Sequence, residues 1–377
     1  MNQYVENKTI HSERLWNKNY ILLILVNIFF AFSFNMVSTI LSKYLVQLGT
    51  ALTITGVILG IFSITALIVR PISGMAADRL NKRNILIISN LVIGLSVLGY
   101  TVSDSATVIL IFRIIHGIGF GMSGTASIAL ASEIIPKDRT GEGIGYVGLG
   151  QILAVAVAPG LGIMVADKWG YNATFVAAFG LAIIASALLL FFRNDSHAQS
   201  KRLPVSSKIT LDHLIAKDVL IFAVISGVMS FNNGIVNSYI LLFSDQLHIG
   251  NIGVYFFVSA IVMLIIRPLS GRLMDTKGLS VVVYPAFVIG VIAMVFHGLS
   301  TSLWMLLVAV VLKSIAGASI QASLLAECIK RAGENRSGVA TSTFYIGADI
   351  GQGVGPMIGG VIASAFGYSV MFYFGGL

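Results

Sequence analysis

The feature that most constrains this chain is a series of apolar runs, each long enough to cross a lipid bilayer. About 20 apolar residues in a helix span the hydrocarbon core. The runs are continuous and do not alternate between apolar and polar residues, so they do not fit the strands of a membrane β-barrel. Only 11% of the 377 residues are charged, which excludes an ordinary soluble domain. The sequence therefore predicts an all-α membrane protein.

Eleven complete spans follow from the apolar runs and the polar segments between them. A twelfth run begins near Tyr368, and the sequence stops at Leu377, which leaves too few residues to cross a bilayer. We therefore expect the twelfth helix to be incomplete in this chain. The predicted spans are residues 20–45, 53–76, 85–103, 106–131, 142–166, 171–193, 218–243, 252–274, 279–298, 301–327 and 338–365.

Basic residues lie overwhelmingly on one side of these spans. Of the 24 Lys and Arg residues, 18 lie on the side of the N-terminus and two, Lys43 and Lys168, lie on the other. Loops rich in Lys and Arg are typically cytoplasmic. We expect a multi-pass protein of the cell membrane with a cytoplasmic N-terminus and central loop, and no nucleic-acid partner. The remaining four basic residues lie within spans: Arg70, Arg113, Arg267 and Lys313.

The two halves of the chain repeat each other. Residues 68–83 read IVRPISGMAADRLNKR, and residues 265–275 read IIRPLSGRLMD. A polar loop at 194–217 separates the halves, so we predict an N-terminal six-helix bundle at 1–193 and a C-terminal bundle at 218–377. Repeated bundles of this kind place a site at their interface. A displacement of 197 residues aligns Arg70 with Arg267, Pro71 with Pro268, Gly74 with Gly271, Asp78 with Asp275, Pro159 with Pro356, and Gly170 with Gly367.

Three motifs resemble signatures of the major facilitator superfamily. Residues 74–83, GMAADRLNKR, resemble its loop 2–3 signature, Gly-x-x-x-Asp-Arg-x-Gly-Arg-Lys, with Asn81 in place of the second glycine. Residues 113–119, RIIHGIG, resemble its helix-four signature, with His116 in place of glutamine. A third stretch fits the family's antiporter signature, which usually marks helix five and here lies on helix eleven. Its residues are Gly351, Gly355, Pro356, Gly359 and Gly360.

The resemblance implies the major facilitator fold and, more closely, the twelve-span drug:proton antiporters. It ties Arg113 to proton coupling, with a structural arginine that bonds helix carbonyls as the alternative. It also places helices one and seven around a central cavity. Amides there can bind a substrate without charge, or they can bond between helices. The residues that we expect to line the substrate cavity are Asn35, Asn232, Asn233, Asn237, Tyr345, Gln352 and Gln321.

Asp349 is an isolated acid about 17 Å into helix eleven, close to the bilayer midplane. A carboxylate at that depth either pairs with a cation or takes up a proton. Lys313 reaches a similar depth on helix ten, so we predict a Lys313–Asp349 pair that separates as a proton or substrate arrives. The alternative is a permanent buried ion pair. Asp349, Arg113, Lys313 and His116 are the candidate proton-coupling residues, and His116 has the alternative of a hydrogen-bonded spacer.

Charged residues near the ends of helices two and eight are candidates for gating. Asp78 ends helix two, where it can face the N-terminus of helix eleven, whose dipole stabilises an anion. Arg70 and Arg267 lie about 12 Å from their helix ends, so we expect polar partners for them. The candidate gating residues are Asp78, Arg79, Lys82, Arg83, Arg70, Arg267 and Asp275.

Together these features predict a secondary active transporter: a proton-coupled exporter of a small amphipathic drug or metabolite, working as a monomer by alternating access. One alternative is a proton-coupled uptake symporter or a facilitator for a polar metabolite. Another is a non-transporting membrane receptor. The spans contain no Walker loop, metal-ligand spacing or nucleophile–base pattern, so we expect no enzyme activity, cofactor or metal.

Overall fold

The computed structural model describes residues 15–136, 140–192, 216–332 and 337–376. Within these ranges all regular secondary structure is helical, with a short 3-10 helix, Lys217–Val219, before the seventh α-helix. The α-helices are α1 Lys18–Gln47, α2 Leu52–Arg79, α3 Lys82–Gly99, α4 Ala106–Ile134, α5 Thr140–Trp169, α6 Tyr171–Leu190, α7 Leu220–Gln246, α8 Gly253–Lys277, α9 Leu279–Leu299, α10 Leu303–Ala332, α11 Ser337–Phe366 and α12 Tyr368–Gly375.

Ten of the described helices, α1 to α10, are long and apolar enough to cross a membrane. The predicted all-α membrane class is therefore confirmed. The clearest difference lies at α10, which continues to Ala332, past its predicted end at 327. Arg331 and Glu327 pair at 2.8 Å one turn apart. Such pairs let a helix continue beyond the apolar segment, where hydropathy gives no signal.

Tight glycine turns recur at equivalent positions of the repeat. Gly170 joins α5 to α6 and Gly367 joins α11 to α12, both with φ of 85°. This left-handed conformation strongly favours glycine because it has no Cβ. The same turn at both positions supports the internal repeat.

The helices pack as two bundles of six. In the first, α1 packs on α5 and α6, while α3 packs on α4 and α6. In the second, α7 packs on α11, while α9 packs on α10 and α12. The bundles are joined mainly by α2 with α11, α5 with α8, and α1 with α7. The proposed linker, 194–217, lies almost wholly outside the described residues.

The described contacts between the bundles lie mostly toward one side of the spans. We call the side where α1 begins and α6 ends the linker side, and the other the distal side. On the distal side, Lys43 pairs with Asp245 at 3.0 Å. Gly160 of α5 approaches Gly253 of α8 closely enough that a Cβ on Gly253 would lie 3.6 Å from the Gly160 Cα. The bundles are thus joined on the distal side.

Helix α11 packs closely against both α7 and α2 because its glycines expose backbone on two faces. A Cβ on Gly351 would collide with the Gly227 carbonyl oxygen of α7, and one on Gly353 would lie 3.1 Å from the Gly60 carbonyl oxygen of α2. Small residues at such interfaces let helix backbones approach each other directly. This packing places α11 between the two bundles.

Candidate functional site

A cavity of about 100 Å³ lies between the bundles. The α1, α2, α4 and α5 helices of the first bundle and the α7, α8 and α11 helices of the second contribute to its lining. The lining combines amides and hydroxyls with aromatic rings, which suits an amphipathic molecule. The residues used below are Phe34, Asn35, Phe62, Arg113, Asn237, Phe256, Gln352 and Pro356.

Arg113 reaches this cavity from α4. The residue is only 2% exposed, and its guanidinium carbon lies 4.3 Å from the centre of the Phe62 ring. Its Nε and Nη1 atoms have no hydrogen-bond partner among the described residues. Burying charged donors without partners is costly, so a side chain in this state is a candidate for binding a ligand.

His116 lies one turn further along α4 and is fully buried. Its Nδ1 atom is 3.0 Å from the Tyr100 hydroxyl. The imidazole also meets the rings of Phe34 and Phe62 edge-on. Arg113 is close enough to interact electrostatically with both Tyr100 and His116. The four side chains Tyr100, Arg113, His116 and Phe62 therefore form one buried cluster beside the cavity.

Asp349 forms an ion pair with Arg70, not with Lys313 as predicted. Arg70 donates from Nε and from Nη2 to the two carboxylate oxygens, the second bond being 3.1 Å long. Both side chains are largely buried, at 19% and 15% exposure. The guanidinium also lies 5.9 Å from the Tyr345 ring. Since Arg70 belongs to α2 and Asp349 to α11, this bidentate pair joins the two bundles.

The Lys313–Asp349 prediction is wrong because helical depth does not determine which helices face each other. Lys313 forms no ion pair within the described part of the chain. It lies near His297, with which it interacts electrostatically. His297 is fixed by two bonds: Nδ1 contacts the Ala293 carbonyl at 2.7 Å, and Nε2 contacts the Tyr255 hydroxyl at 2.8 Å. A carbonyl can only accept, so Nδ1 donates and Nε2 accepts.

The expected cavity residues separate into two groups. Asn35, Asn237 and Gln352 line the cavity. Asn232 does not: it lies against α12, where a Cβ on Gly375 would be 2.9 Å from its side-chain oxygen. Positions 232 and 237 are five residues apart on α7 and so point about 140° apart. The described lining also leaves out Asn233, Gln321 and Tyr345, and Tyr345 lies beside Arg70 instead.

The candidate gating residues that are described mostly bind within one bundle. Lys82 pairs with Glu133 of α4 at 2.5 Å. Arg83 donates to the Leu189 and Leu190 carbonyls at the end of α6, at 2.7 and 2.8 Å. Arg267 interacts electrostatically with Tyr345. The side chains of Asp78, Arg79 and Asp275 lie outside the described residues.

The glycines and proline of the antiporter-type motif shape α11 beside the cavity. Pro356 cannot bond to the Gln352 carbonyl, which is left free of its usual helical partner. Gly234 of α7 makes room there: a Cβ on it would lie 2.9 Å from both the Gln352 oxygen and the Pro356 ring. The Tyr239 hydroxyl donates to the Pro356 carbonyl at 2.8 Å. These contacts fix a proline-bearing segment in the cavity wall.

Sequence reasoning missed the aromatic residues of the site, Phe34, Phe62, Tyr100 and Phe256. Aromatic residues are common in apolar spans, so one sequence gives no signal that distinguishes cavity from lipid contact. Tyr100 alone carried a hint, since a buried tyrosine hydroxyl requires a polar partner.

Comparison with known proteins places most of the chain among membrane transporters. A family model described as the Major Facilitator Superfamily matches residues 23–345. The uncharacterized MFS-type transporter YuxJ of Bacillus subtilis (strain 168) is 25% identical over 365 residues, covering 93% of this chain and 92% of its own. The multi-drug resistance efflux pump PmrA of Streptococcus pneumoniae serotype 4 is 24% identical over 335 residues, covering 84% of this chain and 81% of its own.

Solved structures share the fold at lower sequence identity. The nucleoside transporter NupG superposes with a TM-score of 0.74 at 11% identity, covering 96% of both chains. A bacterial homolog of the human lysosomal transporter Spinster, in an inward-facing and occupied conformation, gives 0.75 at 16% identity, covering 92% of this chain and 82% of its own. These similarities concern the fold alone.

Proposed function

Because this chain belongs to the Major Facilitator Superfamily, we propose that it is a proton-coupled exporter of small amphipathic molecules that works by alternating access. The observation that carries the proposal is the Arg70–Asp349 pair, which joins the two bundles through the one acid that lies deep within the spans. The names of similar proteins favour export, since PmrA is called a multi-drug resistance efflux pump. They lend no support to the receptor alternative.

Protonation of Asp349 is the proposed coupling step. A bidentate arginine–carboxylate pair is among the stronger polar interactions in proteins. A proton on Asp349 removes the negative charge and weakens the pair, so the bundles separate more easily. Loss of that proton restores the pair and favours the described conformation, in which the bundles are joined on the distal side. The proton thus shifts the equilibrium between two arrangements of the bundles.

This arrangement suits exchange of cargo for protons. The pair holds the empty, deprotonated carrier with its distal side joined, so the distal side does not open without cargo. Cargo that binds between the bundles then supplies the free energy that opens the distal side. A proton that loads on Asp349 there displaces the cargo, and the proton leaves toward the linker side once the distal side has closed and the pair re-forms. The buried cluster of Tyr100, Arg113, His116 and Phe62 adjoins the cavity, so Arg113 and His116 remain proposed coupling residues, with Lys313 further away on α10.

The proposed orientation follows from charge. The linker side carries 18 of the 24 basic residues, so we place it in the cytoplasm. The described conformation is then closed toward the outside of the cell membrane. We propose that the protein acts as a monomer, since each chain contains both bundles and the cavity between them.

Transport by proteoliposomes tests direction and coupling together. Purified protein is reconstituted with its linker side facing the medium, and uptake of a panel of fluorescent drugs is followed after the lumen is made acidic. Antiport predicts that the vesicles accumulate a compound while protons leave. A symporter predicts no accumulation and, in vesicles preloaded with the compound, its loss from the lumen under the same gradient, and a facilitator predicts no dependence on pH. Either of those results contradicts the proposal.

A further inference from the structure

Positive charge exceeds negative charge among the side chains described within the spans. Arg70, Arg113, Arg267 and Lys313 are cationic, and Asp349 is the acid that lies deep among them. The opposite charges of Arg70 and Asp349 compensate each other in their ion pair. Within the described residues, the other three cations form no ion pair. Uncompensated charge in a span is expensive and marks a functional site.

Of these three cations, Arg113 is the one that lines the cavity. It is 2% exposed and has two guanidinium nitrogens without a partner among the described residues. The Phe62 ring covers one face of the guanidinium. Nε and Nη1 point to different edges of the planar group, so each remains available to donate to an acceptor in that plane. A carboxylate oxygen can accept a charge-assisted hydrogen bond from either nitrogen.

The rest of the lining is neutral. It contains no Asp or Glu among the described residues, and its polar groups are amides and hydroxyls such as those of Asn35, Asn237 and Gln352. Helix α1 has no acidic residue at all. A cationic molecule would therefore enter next to an unpaired guanidinium with no carboxylate to bind it. Phe34 and Phe256 offer apolar contacts to the remainder of a ligand.

We propose that the central cavity binds amphipathic anions, with a carboxylate on the edge of Arg113 and an aromatic or aliphatic body against Phe34 and Phe256. This inference rests on the proposed transport function and names the substrate class of the same site. It separates this chain from a carrier of cationic drugs. In this arrangement the carboxylate of the cargo itself accepts hydrogen bonds from the unpaired donors of Arg113.

Three probes of the same shape test the charge preference: 2-naphthoate, its neutral amide 2-naphthamide, and 2-naphthylmethylammonium. Binding is measured by equilibrium dialysis to the full chain in phosphatidylcholine nanodiscs at neutral pH without a gradient. We expect 2-naphthoate to bind most tightly. Replacement of Arg113 by Gln should weaken its binding roughly 10- to 100-fold, the range expected for a charge-assisted hydrogen bond. Binding of the amide should not change.

The control is Lys168→Gln, which removes the same charge at the distal end of α5, where the lysine lies over Trp169. It should leave all three affinities unchanged. If Arg113→Gln does not insert, Arg113→Lys is used; it should weaken 2-naphthoate binding several-fold because the lysine ammonium does not reproduce the geometry of the guanidinium donors. Undetectable binding of 2-naphthoate, equal binding of the three probes, or tighter binding of the ammonium compound would overturn the proposal. Binding of 2-naphthoate that is unchanged in both Arg113 variants would overturn it as well.

This experiment can fail separately from the vesicle assay. Binding of 2-naphthoate through Arg113 without pH-driven flux would support the anion site and contradict the proposed export function. Antiport of neutral or cationic compounds without binding of 2-naphthoate would do the reverse.

Discussion

Replacement of Asp349 by asparagine is expected to abolish pH-driven transport while membrane insertion is preserved. Asparagine keeps the size of the side chain but cannot release a proton or carry the charge that pairs with Arg70. Loss of one partner of a fully buried pair costs roughly 3–5 kcal/mol. The cost should be smaller here, because the two side chains keep 19% and 15% exposure. The measurement is drug accumulation in vesicles with an imposed pH gradient, at matched amounts of inserted protein.

Asp245→Asn is the matched control. Asp245 also pairs across the bundles, with Lys43, but its side chain is 47% exposed. Exposed pairs contribute less than about 1 kcal/mol, so transport should be nearly normal. Full gradient-driven transport by the Asp349 variant would show that this acid does not carry the coupled proton.

Replacement of Gly351 by alanine is expected to disrupt the second bundle. The new Cβ would collide with the Gly227 carbonyl oxygen and lie 2.8 Å from both the Gly227 carbonyl carbon and the Phe231 nitrogen. Backbone atoms cannot move aside as a flexible side chain can, so α7 and α11 must separate. Overpacking typically costs about 1–3 kcal/mol, and more where backbone is involved. Thermal unfolding, followed by labelling of the buried thiol of Cys328, measures the loss.

Gly317→Ala serves as the comparison in the same bundle. Gly317 lies within α10, and a Cβ there meets no atom within 4 Å. Alanine favours a helix interior over glycine by about 1 kcal/mol, so this variant should unfold at the same temperature or slightly higher. Similar thermal stability of both variants would contradict the close α7–α11 contact.

The fold was largely predictable because membrane spans are specified by local properties. Hydropathy located the helices, and their bounds differ mainly at ends such as Ala332, where polar residues continue the helix into water. The displacement between Arg70 and Arg267 revealed the repeat, and Gly170 and Gly367 adopt the same turn. Each of these signals lies within a short segment or a fixed spacing.

The site was less predictable because its contacts join distant segments. Sequence identified Asp349 as an isolated deep acid and Arg70 as an arginine that needs a polar partner. It could not pair them, since 279 positions separate the two and only the packing of α2 on α11 brings them together. The same limit applies to Asn232, which shares α7 with Asn237 but points toward α12. The face of a helix that meets a cavity depends on its neighbours.

We propose that the two bundles move between the described arrangement and one that is open on the distal side, under control of the Arg70–Asp349 pair. Spin labels on Val102, which is 71% exposed, and on Thr301 report the distance between the distal ends of the bundles, with Cys328 replaced by serine. Pulsed electron paramagnetic resonance in nanodiscs should show a short and a long distance. The long one should become more populated at a pH low enough to protonate Asp349, and also in Asp349→Asn at neutral pH. One short distance at every pH and in both proteins would contradict this movement of the bundles.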